Sequence, residues 1–424
     1  MRTMDYISSV NICYLICDTL CLIDKRPIEH GMRVAYMLMR LLECKGSYDE
    51  YEAAEFVFLA MLHDIGAYKT DRLSDEFGYD EPENSSRHSA YGALFLKHTS
   101  PLSNRCDIIT YHHLPYHKLS RLNYEYSRIA MYLSLLEDVD ACYRKDGEEM
   151  DFRRFEAGAG EEYMPEAVML LLKCARKDGM LKQIGSGAYK EELRKYMDYV
   201  IFTNEEKENY LKFIVHCYSL KTKMQTIETI VCCCVVDEIA EVLGLTGREK
   251  DKLDYGTMLH DIGMLAIDPG IIKAPRGLTE GETVEVRRHV EIGEELLGKY
   301  FAVQGITEVA AAHHEHLDGT GYPHGLREGQ MTQPQFALQV ADSVTAMMNK
   351  RGYRQALSWK EIKDVLLKQA LRRHLNERIV QTAINRFDAI EKRVRSEMKE
   401  FLEMHVRMNN QYKIMVDSNL GEEG

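Results

Sequence analysis

The side chains with the clearest chemical potential lie close together in one stretch that reads HHEHLDGTGYP. His313 and His314 supply two imidazole nitrogens, and Glu315 adds a carboxylate directly after them. Gly321 and the glycine two residues before it can adopt positive φ angles and allow the backbone to approach a ligand closely. Histidines and an acidic residue beside such a turn predict a metal-binding or ligand-binding loop rather than an inert surface turn.

Residues of this ligand type occur in the same order in both halves of the sequence. Each half has a predicted helix that ends in Leu-His-Asp-Ile-Gly, then a single histidine, a His-His pair and a carboxylate. The later set is His260, Asp261, His289, His313, His314 and Asp342. The earlier set is His63, Asp64, His88, His112 and His113, followed by Glu137 or Asp138. The matching order predicts an internal duplication with its boundary near residue 200.

The chemistry that such a set serves best is hydrolysis of a phosphodiester with two metal ions. Two ions about 3.5–4 Å apart lower the pKa of a bridging water and neutralise the phosphate. Such a pair needs neutral imidazoles and a carboxylate that can bridge, and Asp261 beside His260 is the natural bridge. His289, the His-His pair and Asp342 can complete the ligand shell. Because the shell lacks thiolate, it suits Fe, Mn, Ni or Co better than structural Zn.

Helices must position these residues, because apolar residues recur at helical spacing and no long alternating strand pattern occurs. The predicted fold class is therefore all-α. A capping box of Thr279 with Glu282 is predicted to open the helix that carries the single histidine of the later set. The helices predicted to carry the later set span 248–260, 279–299, 305–314 and 334–349.

Two helical domains in tandem are predicted, at 1–200 and 201–375, followed by a long helix and tail at 376–424. Apolar residues such as Phe387 and Ile390 recur on one stripe of this last helix, which is typical of a packing or dimer helix. A homodimer through this helix is therefore a candidate assembly.

The composition favours a globular protein of the cytoplasm. A formal net charge of -13 argues against binding of a nucleic-acid polymer through a general positive field. No run approaches 18 apolar residues, and the stretch from Met1 to Asp18 lacks the pattern of a secretory signal, so neither a membrane span nor export is expected. The 11 cysteines are scattered, which fits a reducing compartment.

The stretch 224–375 resembles the HD-GYP family, a branch of the HD metal-dependent phosphohydrolases, in its His-Asp pair, its later histidines and its Gly-Tyr-Pro loop. The resemblance implies HD-type helical domains and a phosphodiesterase that hydrolyses cyclic di-GMP or 3′,3′ cyclic GMP-AMP with a metal-bridged hydroxide. It also implies two or three divalent ions, most often Fe or Mn. A cyclic dinucleotide is accordingly the expected partner.

The functional positions of that family carry over residue by residue. The metal ligands so implied are Glu228, His260, Asp261, His289, His313, His314 and Asp342. The catalytic residues so implied are Asp261, His260 and Glu315. The substrate-binding residues so implied are Asp318, Gly321, Tyr322, Pro323, Arg351 and Arg354.

Two positions depart from the pattern of the family. A histidine usually stands where this chain has Glu228, whose carboxylate can also bind iron or manganese. A lysine usually follows His-Asp-Ile-Gly where this chain has Met264, which can neither pair with a phosphate nor assist a leaving group. Two alternatives therefore stay open: a catalytically weak cyclic-nucleotide-binding signalling module, and a phosphohydrolase of another nucleotide.

The first half resembles a plain HD domain, because Leu114-Pro115-Tyr116 follows its His-His pair in place of the glycine-rich loop. It keeps the early histidine that the second half lacks. Its possible metal ligands are His30, His63, Asp64, His88, His112, His113 and Glu137, with Asp138 as the rival of Glu137. A sensory or regulatory domain, a second hydrolytic domain and a decayed copy that only packs are the alternatives.

Overall fold

The computed structural model describes residues 4, 7–69, 82–122, 124–177, 179–301, 305–348 and 356–420. Within these ranges the regular structure is helical, and no β-strand occurs apart from two isolated β-bridges. The predicted all-α fold class is confirmed. No helix in this part of the chain is both long enough and apolar enough to cross a membrane.

The chain is built from consecutive helices joined by turns. The first α-helices are α1 (Ser9–Cys21), α2 (Lys25–Lys45), α3 (Glu50–Met61), α4 (Pro82–Thr99), α5 (Cys106–Tyr111), α6 (Tyr116–Leu119), α7 (Ser127–Asp146), α8 (Arg153–Ala157), α9 (Pro165–Lys177), α10 (Met180–Ser186) and α11 (Tyr189–Tyr196). The later α-helices are α12 (Asn204–Lys221), α13 (Lys223–Leu243), α14 (Gly247–Leu259), α15 (Pro269–Ile272), α16 (Glu280–Phe301), α17 (Ile306–Ala311), α18 (Gln333–Met348), α19 (Trp359–Leu371), α20 (Glu377–Asn385) and α21 (Phe387–Leu420). Short 3₁₀ helices span Ile65–Lys69, Pro101–Arg105, Gly147–Glu149, Met197–Tyr199, Ile262–Ala266 and Glu328–Gln330.

The capping box predicted for α16 is confirmed. The amide of Glu282 donates to Thr279 Oγ1 at 3.3 Å, and the amide of Thr279 donates to Glu282 Oε2 at 2.7 Å. These two bonds satisfy amides that have no partner within the helix, so they fix the residue at which α16 begins. The register of this helix in turn determines where His289 points.

The chain divides into two compact units. The N-terminal unit comprises Asp24–Asn209 with Val406–Gly424, and the C-terminal unit comprises Tyr210–His405 with Met1–Ile23. These units differ from the sequence-based division in two respects. The first 23 residues join the C-terminal unit, and α21 contributes residues to both units.

Side-chain contacts explain why α1 belongs to the C-terminal unit. The hydroxyl of Tyr300 on α16 donates to Asp18 Oδ2 at 3.0 Å, and Ile12 and Leu15 of α1 are fully buried. Helical periodicity in the sequence identifies an apolar face on α1, but it cannot identify the domain that covers this face.

The apolar core of the C-terminal unit holds α13 and α18 together. Val235 and Ile239 of α13 and Val344 of α18 are fully buried members of one cluster. The same two helices carry Glu228 and Asp342. Packing in the core therefore sets the positions of two of the predicted ligands.

A buried carboxylate fixes the start of the C-terminal helix. Glu238 of α13 has a side chain that is 5% exposed, and it accepts from Arg393 Nε at 2.8 Å and from Arg386 Nε at 2.9 Å. Burial alone would raise the pKa of Glu238, but the hydrogen bonds from the two arginines lower it below its ordinary value.

Candidate metal centres

Asp261 is ringed by imidazole nitrogens in the C-terminal unit. Its Oδ1 lies 3.3 Å from His289 Nε2 and 3.8 Å from His313 Nε2. Its Oδ2 lies 3.4 Å from His260 Nε2. The three imidazoles are buried, whereas the Asp261 side chain is 18% exposed. A carboxylate in this position can bridge two cations that the imidazoles hold from either side.

The tautomers of these three histidines are fixed by the main chain. In each of them Nδ1 bonds to the carbonyl oxygen of the residue three positions earlier. The bonds run from His260 to Thr257 (2.7 Å), from His289 to Val286 (2.6 Å) and from His313 to Ala310 (2.7 Å). Because a carbonyl only accepts, Nδ1 carries the proton and Nε2 keeps its lone pair. Such a bond is how proteins orient a histidine that ligates a metal through Nε2.

His314 and Asp342 are two further members of the predicted set in this unit. His314 Nδ1 lies 3.6 Å from Asp342 Oδ2. Ligand atoms of His289, His313 and His314 all lie within 4.8 Å of one another. Burial and the neighbouring His289 lower the pKa of His314 to about 3, so this imidazole is neutral, as a ligand must be.

Glu228, a predicted ligand, contributes negative charge at the position where the family usually has a histidine. Burial alone would lower the pKa of His260, but the carboxylates of Asp261, Asp342 and Glu228 act with the Thr257 carbonyl to raise it. Several carboxylates around buried imidazoles create a negative potential, which favours binding of a cation.

A glycine lets the His-Asp turn pack directly on the next helix in each unit. A Cβ at Gly263 would lie 2.0 Å from His289 O, and a Cβ at Gly66 would lie 1.9 Å from His88 O. No other residue fits at either position, which explains why the glycine recurs in both Leu-His-Asp-Ile-Gly runs. The close approach brings the single histidine beside the His-Asp pair.

Glu315 holds the glycine-rich loop rather than facing the cluster. It is 1% exposed, and its Oε1 and Oε2 accept from the amides of His324 at 2.7 Å and Leu326 at 2.8 Å. Both oxygens are thus engaged by the main chain. The placement differs from the catalytic role that the resemblance implied, and it fits a residue that positions the loop.

The Gly-Tyr-Pro loop brings an aromatic ring to the edge of the cluster. A Cβ at Gly321 would lie 2.3 Å from His316 N, so only glycine allows the loop to fold back here. The ring of Tyr322 lies 4.8 Å from that of His314, between centroids, and its peptide bond to Pro323 is cis. Burial raises the pKa of Tyr322, so its hydroxyl stays neutral and can donate a hydrogen bond.

Arg287 is a neighbour of the site that the sequence did not reveal. Its guanidinium carbon lies 4.9 Å from the centroid of the Tyr322 ring, and Arg287 forms no ion pair with any carboxylate in the described ranges. The adjacent Arg288 instead pairs with Glu285 at 3.2 Å. Nothing in the sequence distinguishes these two arginines, because their contacts depend on the rotation of α16 against the loop.

Of the remaining predicted residues, Asp318 has partners within the loop and two arginines lie outside the described residues. Asp318 is tied to Thr320 through its Oδ1, at 2.9 Å from the amide and 2.7 Å from the hydroxyl. Arg351 and Arg354 fall outside the described residues. Met264 is half-buried directly after the His-Asp turn, and its amide donates to Asp261 O at 2.9 Å.

Asp64 holds the equivalent position in the N-terminal unit. Its Oδ1 lies 3.2 Å from His88 Nε2, 3.6 Å from His63 Nε2 and 3.9 Å from His112 Nε2. Both Asp64 oxygens and His112 Nε2 are buried without a hydrogen-bond partner among the described residues. Orphaned groups of this kind are costly unless a bound cation satisfies them, so these residues fit a metal.

His30 bridges two carboxylates on α7. Its Nε2 lies 3.0 Å from Glu137 Oε2, and its Nδ1 lies 2.7 Å from Asp140 Oδ2, which Arg33 also contacts. Burial alone would lower the pKa of His30, but Glu137 and Asp140 raise it to about 10. Glu137 also contacts His63 Nε2.

Asp138, the rival of Glu137, lies outside this cluster. Its Oδ2 accepts from the Tyr163 hydroxyl at 2.7 Å, and Arg154 is 3.7 Å from its Oδ1. The structure therefore brings Glu137, not Asp138, to the histidines.

The N-terminal unit contains two overlapping groups of four ligand atoms, each within 4.8 Å. The groups are Asp64, His88, His112 and His113, and His63, Asp64, His112 and Glu137. Asp64 belongs to both groups and offers one oxygen to each. This is the arrangement expected of a centre for two ions with a bridging carboxylate.

The comparison with known families matches both units. The HD-domain family matches residues 202–379, and a second HD-domain profile matches residues 28–145. These two ranges coincide with the two halves of the repeat in the sequence.

Curated relatives match the chain to different extents. The chain is 26% identical over 374 residues to the 3′3′-cGAMP-specific phosphodiesterase 1 of Vibrio cholerae serotype O1. This match covers 80% of this chain and 82% of that protein. It is 35% identical over 118 residues to the cyclic di-GMP phosphodiesterase of Thermotoga maritima. This match covers 27% of this chain and 32% of that protein. The chain thus spans about a third of the second relative.

A solved structure shares the fold. The crystal structure of a cyclic GMP-AMP-specific phosphodiesterase of Vibrio cholerae superposes with a TM-score of 0.57 and 15% sequence identity, over 89% of this chain and 97% of that chain. The family matches together with this shared fold confirm the resemblance that the sequence indicated. The chain belongs to the HD-domain family and carries two HD domains in tandem, the second of which is of the HD-GYP type.

Proposed function

We propose that the protein is a metal-dependent phosphodiesterase that hydrolyses a cyclic dinucleotide in its C-terminal unit. The observation that carries the proposal is the Asp261 carboxylate, which lies within 3.8 Å of three imidazole nitrogens whose lone pairs are fixed by the main chain. The Tyr322 ring lies at the edge of the same cluster, beside Arg287, which pairs with no carboxylate of the described residues.

HD domains are metal-dependent, and both units carry candidate clusters of ligands. In the C-terminal unit the ligands would be Glu228, His260, Asp261, His289, His313, His314 and Asp342. When bound, two or three divalent ions would supply an activated water and positive charge for the phosphate oxygens. A shell of imidazole and carboxylate favours Fe or Mn over structural Zn.

The other side chains of the site would bind and orient the substrate. Arg287 carries a charge that no described carboxylate neutralises, so it is available to a phosphate oxygen. The neutral Tyr322 hydroxyl is an available donor, and its ring offers a face to a nucleobase. Glu315 keeps the loop in place through two main-chain amides. Asp318, Gly321, Pro323, Arg351 and Arg354 stay proposed members of the substrate site.

The substrate class rests on the relatives. Of the two relatives described above, one is named for 3′3′-cGAMP and the other for cyclic di-GMP. Both substrates are cyclic dinucleotides with two phosphodiester bonds. A compact dianion of this kind suits a local cation site in a protein whose overall net charge is -13.

The direct test is hydrolysis of both cyclic dinucleotides by full-length protein loaded anaerobically with Fe²⁺ or Mn²⁺. We expect a linear dinucleotide from at least one substrate, and no product from Asp261→Asn. This variant keeps the size of the side chain but removes the charge that a bridge needs. The absence of product from metal-loaded protein with either substrate would contradict the proposal.

The second candidate function is a signalling module that binds a cyclic dinucleotide without cleaving it. Met264 favours this candidate, because a thioether cannot protonate a leaving group. Binding of the nucleotide by metal-loaded protein without turnover would support it over the phosphodiesterase.

We further propose that the N-terminal unit binds its own ions through His30, His63, Asp64, His88, His112, His113 and Glu137. The two overlapping four-residue groups and the orphaned Asp64 oxygens support this proposal. Metal analysis of Asp64→Asn tests it, since the variant should retain only the ions of the C-terminal unit. An unchanged metal content would favour a decayed domain that only packs.

A further inference from the structure

A third cluster of ligand-type side chains lies in the C-terminal unit apart from the Asp261 centre. It consists of His316 and Asp318 in the glycine-rich loop and His374 after α19. Each offers one ligand atom, and these atoms lie within 4.8 Å of one another. Asp318 Oδ2 is 3.7 Å from His374 Nε2, and the two imidazoles stack with centroids 4.2 Å apart and planes at 6°.

The hydrogen bonds around Thr320 fix the tautomer of His316. The Thr320 hydroxyl donates its single proton to Asp318 Oδ1 at 2.7 Å. Its oxygen is 3.0 Å from His316 Nδ1, and it must accept this bond because its proton is already used. His316 Nδ1 therefore carries the proton, and Nε2 keeps its lone pair. The same network ties up Asp318 Oδ1 and leaves Oδ2 toward His374.

His374 is held against the loop by its own carbonyl and by the side chain of the preceding arginine. The amide of Leu317 donates to His374 O at 3.2 Å, and Arg373 Nη2 is 2.7 Å from Glu328 Oε2. Arg373 has a φ of 59°, a left-handed conformation that a residue with a Cβ rarely adopts. The turn at Arg373 brings His374 to the loop, so the cluster is not an accident of long flexible side chains.

We propose that His316, Asp318 and His374 form a binding site for one divalent transition ion of the zinc type. Two imidazoles and one carboxylate, with positions left for water, make up the usual donor set of open zinc sites. Donors on one tetrahedral ion with bonds of about 2.0–2.1 Å lie roughly 3.4 Å apart. The separation of 3.7 Å between Asp318 Oδ2 and His374 Nε2 is close to this value. Because the imidazole planes of His316 and His374 are nearly parallel, the His374 ring must turn before both Nε2 atoms can face one ion.

An ion at this site would cross-link the glycine-rich loop to the end of α19. The loop also presents Tyr322 to His314, so the bound ion would restrain the residue that borders the Asp261 cluster. The proposal does not rest on the proposed function, because His316 and His374 have no part in it and Asp318 lies outside its metal-ligand set. It would hold equally for a protein that binds nucleotide without cleaving it.

The test is a count of bound Zn²⁺ in full-length protein. Wild-type protein, His316→Ala, His374→Ala and the control His324→Ala are each loaded with Zn²⁺, freed of excess metal by gel filtration and analysed by mass spectrometry. His324 belongs to the same loop, but its Nε2 pairs with Glu294 at 2.9 Å. We expect one equivalent fewer in the two cluster variants and no change in the control. Equal counts in all four proteins would overturn the proposal.

A second measurement does not depend on truncating a side chain. Asp318→Asn keeps an oxygen that accepts from Thr320 but removes the charged ligand, so we expect at least a tenfold weaker affinity for this one equivalent of Zn²⁺. In wild-type protein, Zn²⁺ should protect His374 from modification by diethyl pyrocarbonate and leave the exposed His324 reactive. Equal modification of His374 with and without Zn²⁺ would contradict the assignment.

Discussion

At the scale of single residues, the same hydrogen bond from a histidine to a main-chain carbonyl recurs in both units. His63 and His112 bond through Nδ1 to Ala60 O at 2.6 Å and to Ile109 O at 2.7 Å, as their counterparts in the C-terminal unit do. The bond spans three residues in the last turn of a helix, where carbonyl oxygens generally lack an amide partner within the helix. Helix ends thus supply both the position and the tautomer of the ligands.

Arg287 gives a residue-scale prediction with a matched control. In Arg287→Ala the proposed phosphate contact is lost, and we expect kcat/KM for the cyclic dinucleotide to fall roughly ten- to hundredfold, as for other hydrogen bonds to charged groups. Arg288→Ala removes a neighbouring arginine that pairs with the exposed Glu285, so it should stay within about twofold of wild type. Steady-state kinetics of the two variants make the comparison.

Equal effects of Arg287→Ala and Arg288→Ala would contradict this prediction. If both variants lose activity to the same extent, a general positive charge on α16 matters and the position over Tyr322 does not. Metal content should stay constant in both proteins, because neither arginine belongs to a ligand cluster.

At the scale of elements, the contact between the His-Asp turn and α16 gives the second prediction. In Gly263→Ala the new methyl group would meet His289 O at 2.0 Å, and we expect the free energy of unfolding to fall by about 3 kcal/mol. The displaced His289 should also lower the metal content. Urea denaturation and metal analysis measure the two effects.

A second glycine on α16 serves as the control for this substitution. A Cβ at Gly298 would meet no atom of the described residues within 4 Å, so Gly298→Ala should leave metal content unchanged and stabilise the helix by about 0.5–1 kcal/mol. A Gly263→Ala protein as stable as wild type would show that the turn can move away from the helix without cost.

The anchor of the C-terminal helix gives a prediction with a defined pH dependence. Glu238→Gln removes the charge that Arg386 and Arg393 share, and because both arginines are more than a third exposed we expect a loss of only about 1–2 kcal/mol at pH 7. The pKa of Glu238 is lowered in the folded protein. Its stabilising effect is therefore complete above its unfolded pKa of about 4.3 and disappears as the pH falls through the folded pKa.

Urea unfolding of wild type and Glu238→Gln at several pH values checks this account. The difference in unfolding free energy should be constant from pH 6 to 7 and shrink below pH 4. A difference that persisted undiminished at pH 3 would mean that the charge of Glu238 is not the cause.

The sequence predicted features that depend on a few neighbouring residues well, and it predicted features that depend on tertiary contacts poorly. The capping box of Thr279 and Glu282 depends on four residues, and it was predicted correctly. The roles of Glu315 and Arg287 depend on how a loop folds against other segments, and neither contact leaves a pattern in the sequence. The choice between Glu137 and Asp138 likewise required the rotation of α7.

At the scale of the whole molecule, the duplication accounts for two similar centres with different surroundings. Both units place an aspartate among imidazoles at the end of a helix. The N-terminal unit keeps His30 and two full four-residue groups, whereas the C-terminal unit keeps the glycine-rich loop with Tyr322. The order of ligand residues along the sequence was enough to predict this pairing.

The assignment of α1 to the C-terminal unit could not be predicted in the same way. The apolar face of α1 could pack against any apolar surface, and α2, which follows it in the sequence, belongs to the other unit. Such a choice is made by specific side-chain contacts, here between Tyr300 and Asp18, that involve residues distant in the sequence.

The measurement that tests the central claim most directly compares Asp261→Asn with Asp64→Asn for hydrolysis of 3′,3′ cyclic GMP-AMP and cyclic di-GMP. Each metal-loaded variant is assayed for linear dinucleotide under single-turnover conditions. The account predicts that Asp261→Asn forms no product, whereas Asp64→Asn cleaves the substrate at a rate close to that of wild type. Loss of hydrolysis in Asp64→Asn with full activity in Asp261→Asn would contradict the account and place the chemistry in the N-terminal unit.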